Sequence, residues 1–348
     1  MVLPVLRKLS NAAFLRRALL VAAAFAAVNM IFYPIARAMG EPLVHYNWIA
    51  QDKIAQLDRI AASGRCIEVL IQGNSLAAGS VDPARLVARF GGRAYNAGLW
   101  GTQLHHDAEW LERFVLPRLN PKVVVLVVSP LSMSDTSAIA REVNDKWERS
   151  PATRVDIWSK LDGVLRQLVP VARYRDVLAD PGRWRDLLGG EPDEEDRRDP
   201  LLRRMTESGY IPVDRVVDVT SQQGEDLKNF ARKLWLRGWR LSESEVRSLE
   251  DVALLVHDSG GALLVVLVPT SPVLRDLLPG GKGAFEKYRD RVVHAASRHA
   301  DEVIDLSDLA IPTPWYYDHI HLNDRAARMF TDALAPAIAP LHEPCGED

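Results

Sequence analysis

The chain has 348 residues and a formal net charge of −3, from 43 Lys and Arg against 46 Asp and Glu. A hydrophobic fraction of 47% is enough for one large domain with a small appendage. The balanced charge lacks the basic excess of a nucleic-acid footprint, so no nucleic-acid partner is expected. The two cysteines, Cys66 and Cys345, match neither a metal-ligand pattern nor a disulfide framework, and we predict no disulfide.

The N-terminal 40 residues predict a membrane anchor. Residues 18–36 form an uncharged, mostly apolar run of about the length, roughly 20 residues, that a helix needs to cross the hydrocarbon core. Arg16 and Arg17 precede the run and Tyr33 lies near its far end, which favours a cytoplasmic N-terminus and an extracytoplasmic domain. A cleaved signal peptide, suggested by Ala36-Arg37-Ala38, and a buried soluble helix are the alternatives.

Beyond residue 40, predicted strands and helices alternate. Residues 41–64 are predicted as a helical connector, residues 65–341 as the main domain and residues 342–348 as a tail. Asp82 and Pro83 carry the signals of a helix start. The predicted strands are 65–72, 93–96, 122–130, 262–269 and 302–306, and the predicted helices are 83–90, 105–116, 242–258, 283–299 and 324–334.

The predicted strands indicate a mostly parallel sheet. The run 122–130 is continuously apolar and β-branched, which is typical of a strand covered on both faces. Strands alternating with helices then predict an α/β fold built as a three-layer sandwich. Residues 145–240 depart from this pattern by mixing charged residues with tryptophans, and we predict a helical insertion or lid there.

Two loops that follow predicted strands contain candidate functional groups. In Gly73-Asn74-Ser75, small neighbours leave backbone N–H groups, including that of Ser75, open to a bound oxyanion. In the loop 96–101, Gly98 can bring its N–H close to a substrate oxygen, because ligands gather at the carboxyl ends of strands in open α/β sheets. Each loop is equally compatible with an ordinary chain reversal.

Asp318 and His321 lie three residues apart, just before the last predicted helix. An imidazole can take a proton from serine when an acceptor fixes its second nitrogen, and Asp318 can supply that acceptor. The alternative is a polar helix start, with Asn323 as the cap and Asp318 exposed. His319 is predicted to point away from Asp318.

Metal and nucleotide chemistry are disfavoured. His105 and His106 lack the spacing of a zinc site with a carboxylate, and we interpret them as the polar start of a helix. The loop from Gly73 to Gly79 lacks the lysine of a phosphate-binding loop. The sequence therefore predicts no cofactor and no metal.

The order of the three blocks resembles the SGNH/GDSL hydrolase superfamily. The blocks are Gly73-Asn74-Ser75, residues 96–101 and residues 318–321, and the resemblance spans about residues 65–341. It implies an SGNH- or flavodoxin-like fold. The roles that it implies are nucleophile for Ser75, base for His321, orienting acid for Asp318 and oxyanion donor for the N–H groups of Ser75 and Gly98.

The chain departs from the superfamily pattern in two places. The usual Gly-Asp-Ser reads Gly-Asn-Ser, and the usual Gly-x-Asn-Asp after the third strand is replaced by residues 129–135. In the family that asparagine donates to the oxyanion, so Ser132 is a candidate replacement donor. Losing one such donor typically lowers the rate by on the order of 10²–10³.

The chain resembles membrane-anchored proteins of cell-envelope acylation, such as DltD-like and alginate O-acetylation proteins. The features that carry this resemblance are the two departures, the single anchor and the C-terminal Asp-x-x-His-Leu-Asn. The resemblance implies a serine esterase or O-acyltransferase that acts on an acylated cell-envelope glycan or glycolipid. It also implies a membrane-bound O-acyltransferase as a partner. The alternative is a catalytically weak or inactive scaffold that binds glycan or this partner, which the missing asparagine favours.

Overall fold

The computed structural model describes residues 12–38, 45–149, 201–216, 218, 221–342, 344 and 345. Helix α1 (Ala12–Ala38) belongs to one compact unit, formed by residues 1–44 and 154–199. The elements described below belong to the other unit, formed by residues 45–153 and 200–348. Among the described residues, no helix combines the length and the apolar character that a membrane span requires.

Five strands form a parallel sheet with the order β2-β1-β3-β4-β5. This is the flavodoxin-like strand order. The strands are β1 (Val69–Gly73), β2 (Ala94–Asn96), β3 (Val123–Val128), β4 (Ala262–Leu267) and β5 (Glu302–Asp305). All five predicted strands are present with somewhat different bounds, and the prediction of an α/β fold with a mostly parallel sheet is confirmed.

The centre of the sheet is the core of the domain. Every residue of β1 and β3 is buried, and in β4 only Ala262 is partly exposed. Strand β5 lies at the edge, and its residues are exposed or half-buried. The continuous apolar runs therefore occupy the positions that are covered on both faces, as expected for a parallel sheet.

Helices connect the strands. They are α2 (His45–Ala62), α3 (Ser75–Ser80), α4 (Pro83–Phe90), α5 (Leu104–Trp110), α6 (Ala138–Arg149), α7 (Gln222–Phe230), α8 (Glu243–Asp258), α9 (Pro272–Leu277), α10 (Gly281–Ala296) and α11 (Asp324–Ile338). Turns of π-helix extend α5 over Leu111–Val115 and α7 over Ala231–Trp235. Helices α3 and α9 were not predicted, because six residues are too few to show helical periodicity.

The helices form two layers. Helix α8 packs against α5 and α10, whereas α11 packs against α3 and α4. The chain moves along the sheet in one direction from β1 to β2 and in the opposite direction from β2 to β3. Because such crossovers are right-handed, α4 and α5 lie on opposite faces. The domain is thus a three-layer sandwich, with the N-terminal ends of α3 and α5 near the carboxyl edge of the sheet.

Side-chain caps set the starts of several helices, as the sequence predicts for Asp82. Asp82, Ser242 and Asn323 each accept a hydrogen bond from a backbone N–H in the first turn of α4, α8 and α11, respectively. Ser242 and Glu245 have the spacing of a capping box, but only Ser242 caps the helix, because the Glu245 carboxylate binds His105 instead. The caps therefore fix the point at which each loop at the sheet edge becomes a helix.

The predicted insertion at residues 145–240 is described only in part, because residues 150–200 lie outside the described ranges. Within the described part, α7 is helical and residues 206–211 run beside β2. The Asn96 N–H donates to the Ser208 carbonyl at 2.8 Å, and the Ile211 N–H donates to the Ala78 carbonyl at 2.9 Å. Part of the predicted insertion thus lies against the edge of the sheet next to α3.

Cys66 and Cys345 form a disulfide, so the prediction of no disulfide was wrong. Their Cα atoms lie 6.3 Å apart although 279 positions separate them in the chain. The Glu68 carboxylate binds the same tail, accepting a hydrogen bond from the Cys345 N–H at 3.1 Å. Two cysteines without a spacing pattern give no information on which distant segments meet, which is why the pair was missed.

Removal of the disulfide is expected to lower the stability of the domain. The variant Cys345→Ser should lose about 2–5 kcal/mol of unfolding free energy, because the cross-link restricts the unfolded chain. Thermal unfolding with and without a reductant measures this effect. The reductant should lower the Tm of the wild type and leave that of Cys345→Ser unchanged, and an equal response of both proteins would contradict the pairing.

Candidate active site

Ser75 lies at the carboxyl end of β1, where it begins α3. Gly73 ends the strand with a φ of 139°, and a Cβ at this position would lie 2.5 Å from the carbonyl oxygen of Val127 on β3. Only glycine tolerates this conformation and this close approach. Asn74 caps α3 by accepting a hydrogen bond from the Leu76 N–H at 3.0 Å. The strand therefore turns directly into a helix and leaves Ser75 half-buried at the sheet edge.

The asparagine of Gly-Asn-Ser donates a hydrogen bond to the turn that follows β3. Asn74 Nδ2 donates to Ser129 Oγ at 3.0 Å, in the turn that follows β3. The same hydroxyl oxygen accepts a hydrogen bond from the Ser132 N–H at 3.3 Å. An ionised aspartate at position 74 would instead have to accept a hydrogen bond from the Ser129 hydroxyl, so the asparagine reverses the direction of this contact. The departure from Gly-Asp-Ser thus has a partner elsewhere in the chain.

Residues 315–323 form a closed loop that carries the predicted acid and base. The Tyr317 N–H donates to the His321 carbonyl at 3.0 Å. Asp318 Oδ1 accepts hydrogen bonds from the N–H groups of Ile320 at 3.1 Å and His321 at 2.8 Å. Asp318 is buried, with 7% of its surface exposed. The alternative in which Asp318 is an exposed residue at a helix start is therefore wrong, although Asn323 does cap that helix.

His319 holds the loop against neighbouring elements. Its φ is 68°, in the left-handed region that few residues other than glycine adopt. His319 Nε2 donates to the Gly224 carbonyl of α7 at 2.9 Å, and the Ser271 hydroxyl donates to the His319 carbonyl. The side chain thus points away from Asp318, as predicted, and connects the loop to the described end of the insertion.

The structure brings Ser75, His321 and Asp318 into one hydrogen-bonded chain. Ser75 Oγ lies 2.8 Å from His321 Nε2, and Asp318 Oδ2 lies 2.7 Å from His321 Nδ1. Because an ionised carboxylate only accepts hydrogen bonds, Nδ1 carries the imidazole proton and Nε2 accepts from the Ser75 hydroxyl. The predicted meeting of an early serine with a late Asp–His pair is confirmed.

The Asp318 carboxylate is charged at neutral pH. Burial raises its pKa, but the charge of His321 and hydrogen bonds from His321 and Ile320 lower it by more. The net pKa of Asp318 therefore lies below its usual value. A buried carboxylate in this state fixes the imidazole tautomer and can stabilise an imidazolium.

The Gly98 N–H, predicted as an oxyanion donor, is bonded within its own loop. It donates to Asn96 Oδ1 at 3.0 Å, while Asn96 Nδ2 donates to the carbonyls of Ala77 and Val81. A Cβ at position 98 would lie 2.9 Å from the backbone nitrogen of Ala78. Glycine therefore lets this loop pack against α3, and the arrangement gives no support to Gly98 as an oxyanion donor.

Ser132, the candidate replacement donor, is also engaged. It is fully buried in the turn after β3, where its hydroxyl donates to the Ser129 carbonyl at 2.9 Å and accepts from the Ser129 N–H at 3.1 Å. The Ser75 N–H differs, because no group in the described ranges accepts a hydrogen bond from it. This N–H remains open to a bound oxygen.

Two aromatic side chains flank His321. The Tyr317 ring stacks on the imidazole with centroids 5.4 Å apart and an interplanar angle of 20°, and the Trp235 ring meets it edge-on at 5.6 Å. Trp235 lies in the π-turn after α7. Both rings restrict the imidazole to the orientation that reaches Ser75. The tryptophans between residues 145 and 240 were the only sequence signal for the contact between Trp235 and His321. The sequence did not indicate which of these tryptophans reaches the histidine.

The two adjacent histidines lie at the start of α5, as predicted. His105 Nδ1 lies 2.7 Å from Glu245 Oε1, and His106 Nδ1 accepts a hydrogen bond from the Gln103 N–H at 3.2 Å. Within the described ranges, no group of three or more His, Cys, Asp or Glu residues could hold a metal ion. These histidines therefore stabilise the start of α5 and its contact with α8.

Comparisons with known proteins give little guidance. No protein-family model matches the chain, and no curated protein matches it significantly. Among solved structures, the chain is similar to the inhibitor-bound form of an M. smegmatis aryl esterase, with 14% identity and a TM-score of 0.36. The similarity covers 79% of this chain and all of that one. A similarity at this score does not indicate an activity, so the function is inferred from the geometry of the site.

Because its pKa is lowered in the folded state, ionised Asp318 should stabilise the fold. This contribution is present above the ordinary carboxyl pKa and is lost as the pH falls below it. The unfolding free energy of the wild type should therefore approach that of Asp318→Asn as the pH falls below about 4. Urea unfolding of both proteins across this range measures the gap, and a gap that does not change with pH would contradict the assignment.

Proposed function

We propose that this protein is a serine esterase or O-acyltransferase of SGNH type. The observation that carries the proposal is the hydrogen-bonded chain Ser75–His321–Asp318, with distances of 2.8 and 2.7 Å. A serine within hydrogen-bond reach of an imidazole that a buried carboxylate orients is the arrangement of an activated nucleophile. The roles are nucleophile for Ser75, general base and acid for His321, and orienting acid for Asp318.

The first half of the proposed reaction acylates the serine. Ser75 Oγ attacks the ester carbonyl carbon while its proton passes to His321 Nε2. The bond between the carbonyl carbon and the leaving oxygen then breaks, and His321 donates its proton to that oxygen. The products are an alcohol and an acyl ester on Ser75.

The second half removes the acyl group. Water or a sugar hydroxyl gives its proton to His321 Nε2 and attacks the acyl carbon. The bond to Ser75 Oγ breaks and the proton returns to the serine. Exclusion of water from the site would decide between hydrolysis and transfer to a sugar.

The Ser75 N–H is the oxyanion donor in this proposal. The other two candidates, the Gly98 N–H and the Ser132 hydroxyl, are bonded inside their own loops. One missing donor typically costs on the order of 10²–10³ in rate. We therefore propose slow turnover of simple esters and a preference for a reactive acyl donor.

The proposed setting is the outer face of a membrane, and the proposed substrate is an acylated cell-envelope glycan or glycolipid. The disulfide supports this setting, because such bonds persist in oxidising compartments. Helix α1 supports attachment to a membrane, because large apolar side chains on it are exposed. They are Leu19, Leu20, Phe25, Val28, Met30, Ile31 and Phe32. A membrane-bound O-acyltransferase is the proposed partner, on the resemblance of the motifs alone.

The second candidate function is a scaffold that binds glycan or that partner without catalysis. The hydrogen bonds that Gly98 and Ser132 make within their own loops favour the scaffold. They leave the site with a single donor, which stabilises an oxyanion poorly. A covalent probe of serine reactivity distinguishes the two candidates.

A fluorophosphonate probe should label the wild type at Ser75. Ser75→Ala should abolish the labelling, and Asp318→Asn should slow it by on the order of 10⁴, because the imidazole would adopt the wrong tautomer. Ser80→Ala is the matched control, because it makes the same change at a buried serine of the same helix. Mass spectrometry of the labelled peptide identifies the site.

Labelling that persists in Ser75→Ala would place the reactive serine elsewhere. Complete absence of labelling in the wild type, with glycan binding retained in Ser75→Ala, would favour the scaffold over the enzyme.

Deletion of residues 1–44 should move the expressed protein from the membrane fraction to the soluble fraction. The exposed apolar side chains of α1 are the physical reason. The double variant Leu20→Asp/Ile31→Asp is the matched control, because it removes apolar surface but keeps the chain length. It should move to the soluble fraction in the same way. Recovery of the full chain in the soluble fraction would contradict membrane attachment.

A further inference from the structure

A buried acid and a buried amide face each other behind the Ser75 turn. Gln72, on β1, and Asp107, on α5, are both fully buried. Gln72 Nε2 donates to Asp107 Oδ1 at 2.9 Å. Neither residue takes part in the proposed reaction, and no sequence pattern connects them.

The amide oxygen of Gln72 and the second carboxyl oxygen of Asp107 have no hydrogen-bond partner among the described residues. These atoms are Gln72 Oε1 and Asp107 Oδ2. If Asp107 were ionised, two buried acceptor atoms would remain without a hydrogen-bond partner, which is costly. A proton on Asp107 Oδ2 can be donated to Gln72 Oε1, and this one proton satisfies both atoms.

We propose that Asp107 is a neutral carboxylic acid that forms a two-hydrogen-bond ring with the Gln72 amide, and that this ring positions the strand end carrying Ser75. In the ring, Gln72 Nε2–H donates to Asp107 Oδ1 while Asp107 Oδ2–H donates to Gln72 Oε1. Gln72 directly precedes Gly73-Asn74-Ser75. Asp107 therefore acts through Gln72 as a positioning residue and touches no substrate.

The surroundings favour the neutral acid. Burial raises the pKa of Asp107 from 3.8 to about 7, although the Thr102 hydroxyl, the Gln72 amide and the His105 charge lower it. The Glu245 carboxylate of α8 also raises it. His106, on the same helix as Asp107, has its pKa held well below the ordinary value by burial and is uncharged at neutral pH. Glu245 is already bound to His105, so His105 does not neutralise Asp107 directly.

Asp107→Asn tests the ring, because a neutral amide reproduces its geometry. Asn Nδ2–H would donate to Gln72 Oε1, and Asn Oδ1 would accept from Gln72 Nε2. Asp107→Leu is the matched variant of similar size that offers no hydrogen bond. Fluorophosphonate labelling of folded Asp107→Leu should be slower by about 10–10²-fold, because a small displacement of the nucleophile is expensive. Asp107→Asn should restore the rate to within about twofold of the wild type.

Infrared difference spectra of wild type minus Asp107→Asn detect the proton directly. At about pH 5, between the ordinary and the raised pKa, the wild type should show the carbonyl band of a protonated carboxylic acid. Labelling of aspartate with a heavy carbon isotope should shift that band. This readout depends neither on the activity of Ser75 nor on the folding of Asp107→Leu, so it separates this proposal from the proposed function.

The pH dependence of stability gives the second test. The folded state binds the Asp107 proton more tightly than the unfolded state, so this group stabilises the fold fully at low pH. The stabilisation is lost as the pH rises from 3.8 to about 7. The Tm of the wild type minus that of Asp107→Asn should therefore fall across this interval. No protonated-acid band at about pH 5, together with a Tm difference that is constant or rises with pH, would overturn the proposal in favour of an ionised, hydrated Asp107.

Discussion

The hydrogen bond between Ser75 Oγ and His321 Nε2 is the contact on which the proposed chemistry depends. It joins the end of β1 to the loop before α11, and 246 positions separate its two residues. The contact is possible because the carboxyl ends of parallel strands meet at one edge of a sheet. It is held in register because α11 packs against α3 and α4. A change that shifts α11 along the sheet would therefore break the hydrogen bond between Ser75 and His321 before it disturbed the packing of the core.

The same edge of the sheet contains many polar groups, and most of them bind one another. Asn74 binds Ser129, Asn96 binds the Gly98 N–H, and Ser132 binds the turn after β3. Rigid loops place a nucleophile accurately, but donors that hold loops together are unavailable to a substrate. The site is therefore well organised for proton transfer and poorly supplied with oxyanion donors, which is why reactivity rather than fold is the decisive measurement.

The sequence was informative wherever one local pattern decides the outcome. Buried strands appear as continuous apolar runs, helix starts appear as capping residues, and the spacing of Asp318 and His321 fixes their mutual orientation. It was uninformative about contacts between distant segments. No periodicity indicates that Trp235 reaches His321, or that Glu245 leaves its capping box for another helix, because such partners are chosen by tertiary packing. The disulfide between Cys66 and Cys345 was missed for the same reason, because tertiary packing brings its two distant segments together.

That cysteine pair closes a covalent loop from Cys66 to Cys345, and both Ser75 and His321 lie inside it. Cleavage of any single peptide bond within the loop leaves one molecule instead of two fragments. The segment with Ser75 would stay covalently linked to the segment with His321 even after such a cut. This topology means that a proteolytic cut in a surface segment breaks the chain locally without releasing a fragment, as long as the disulfide is intact.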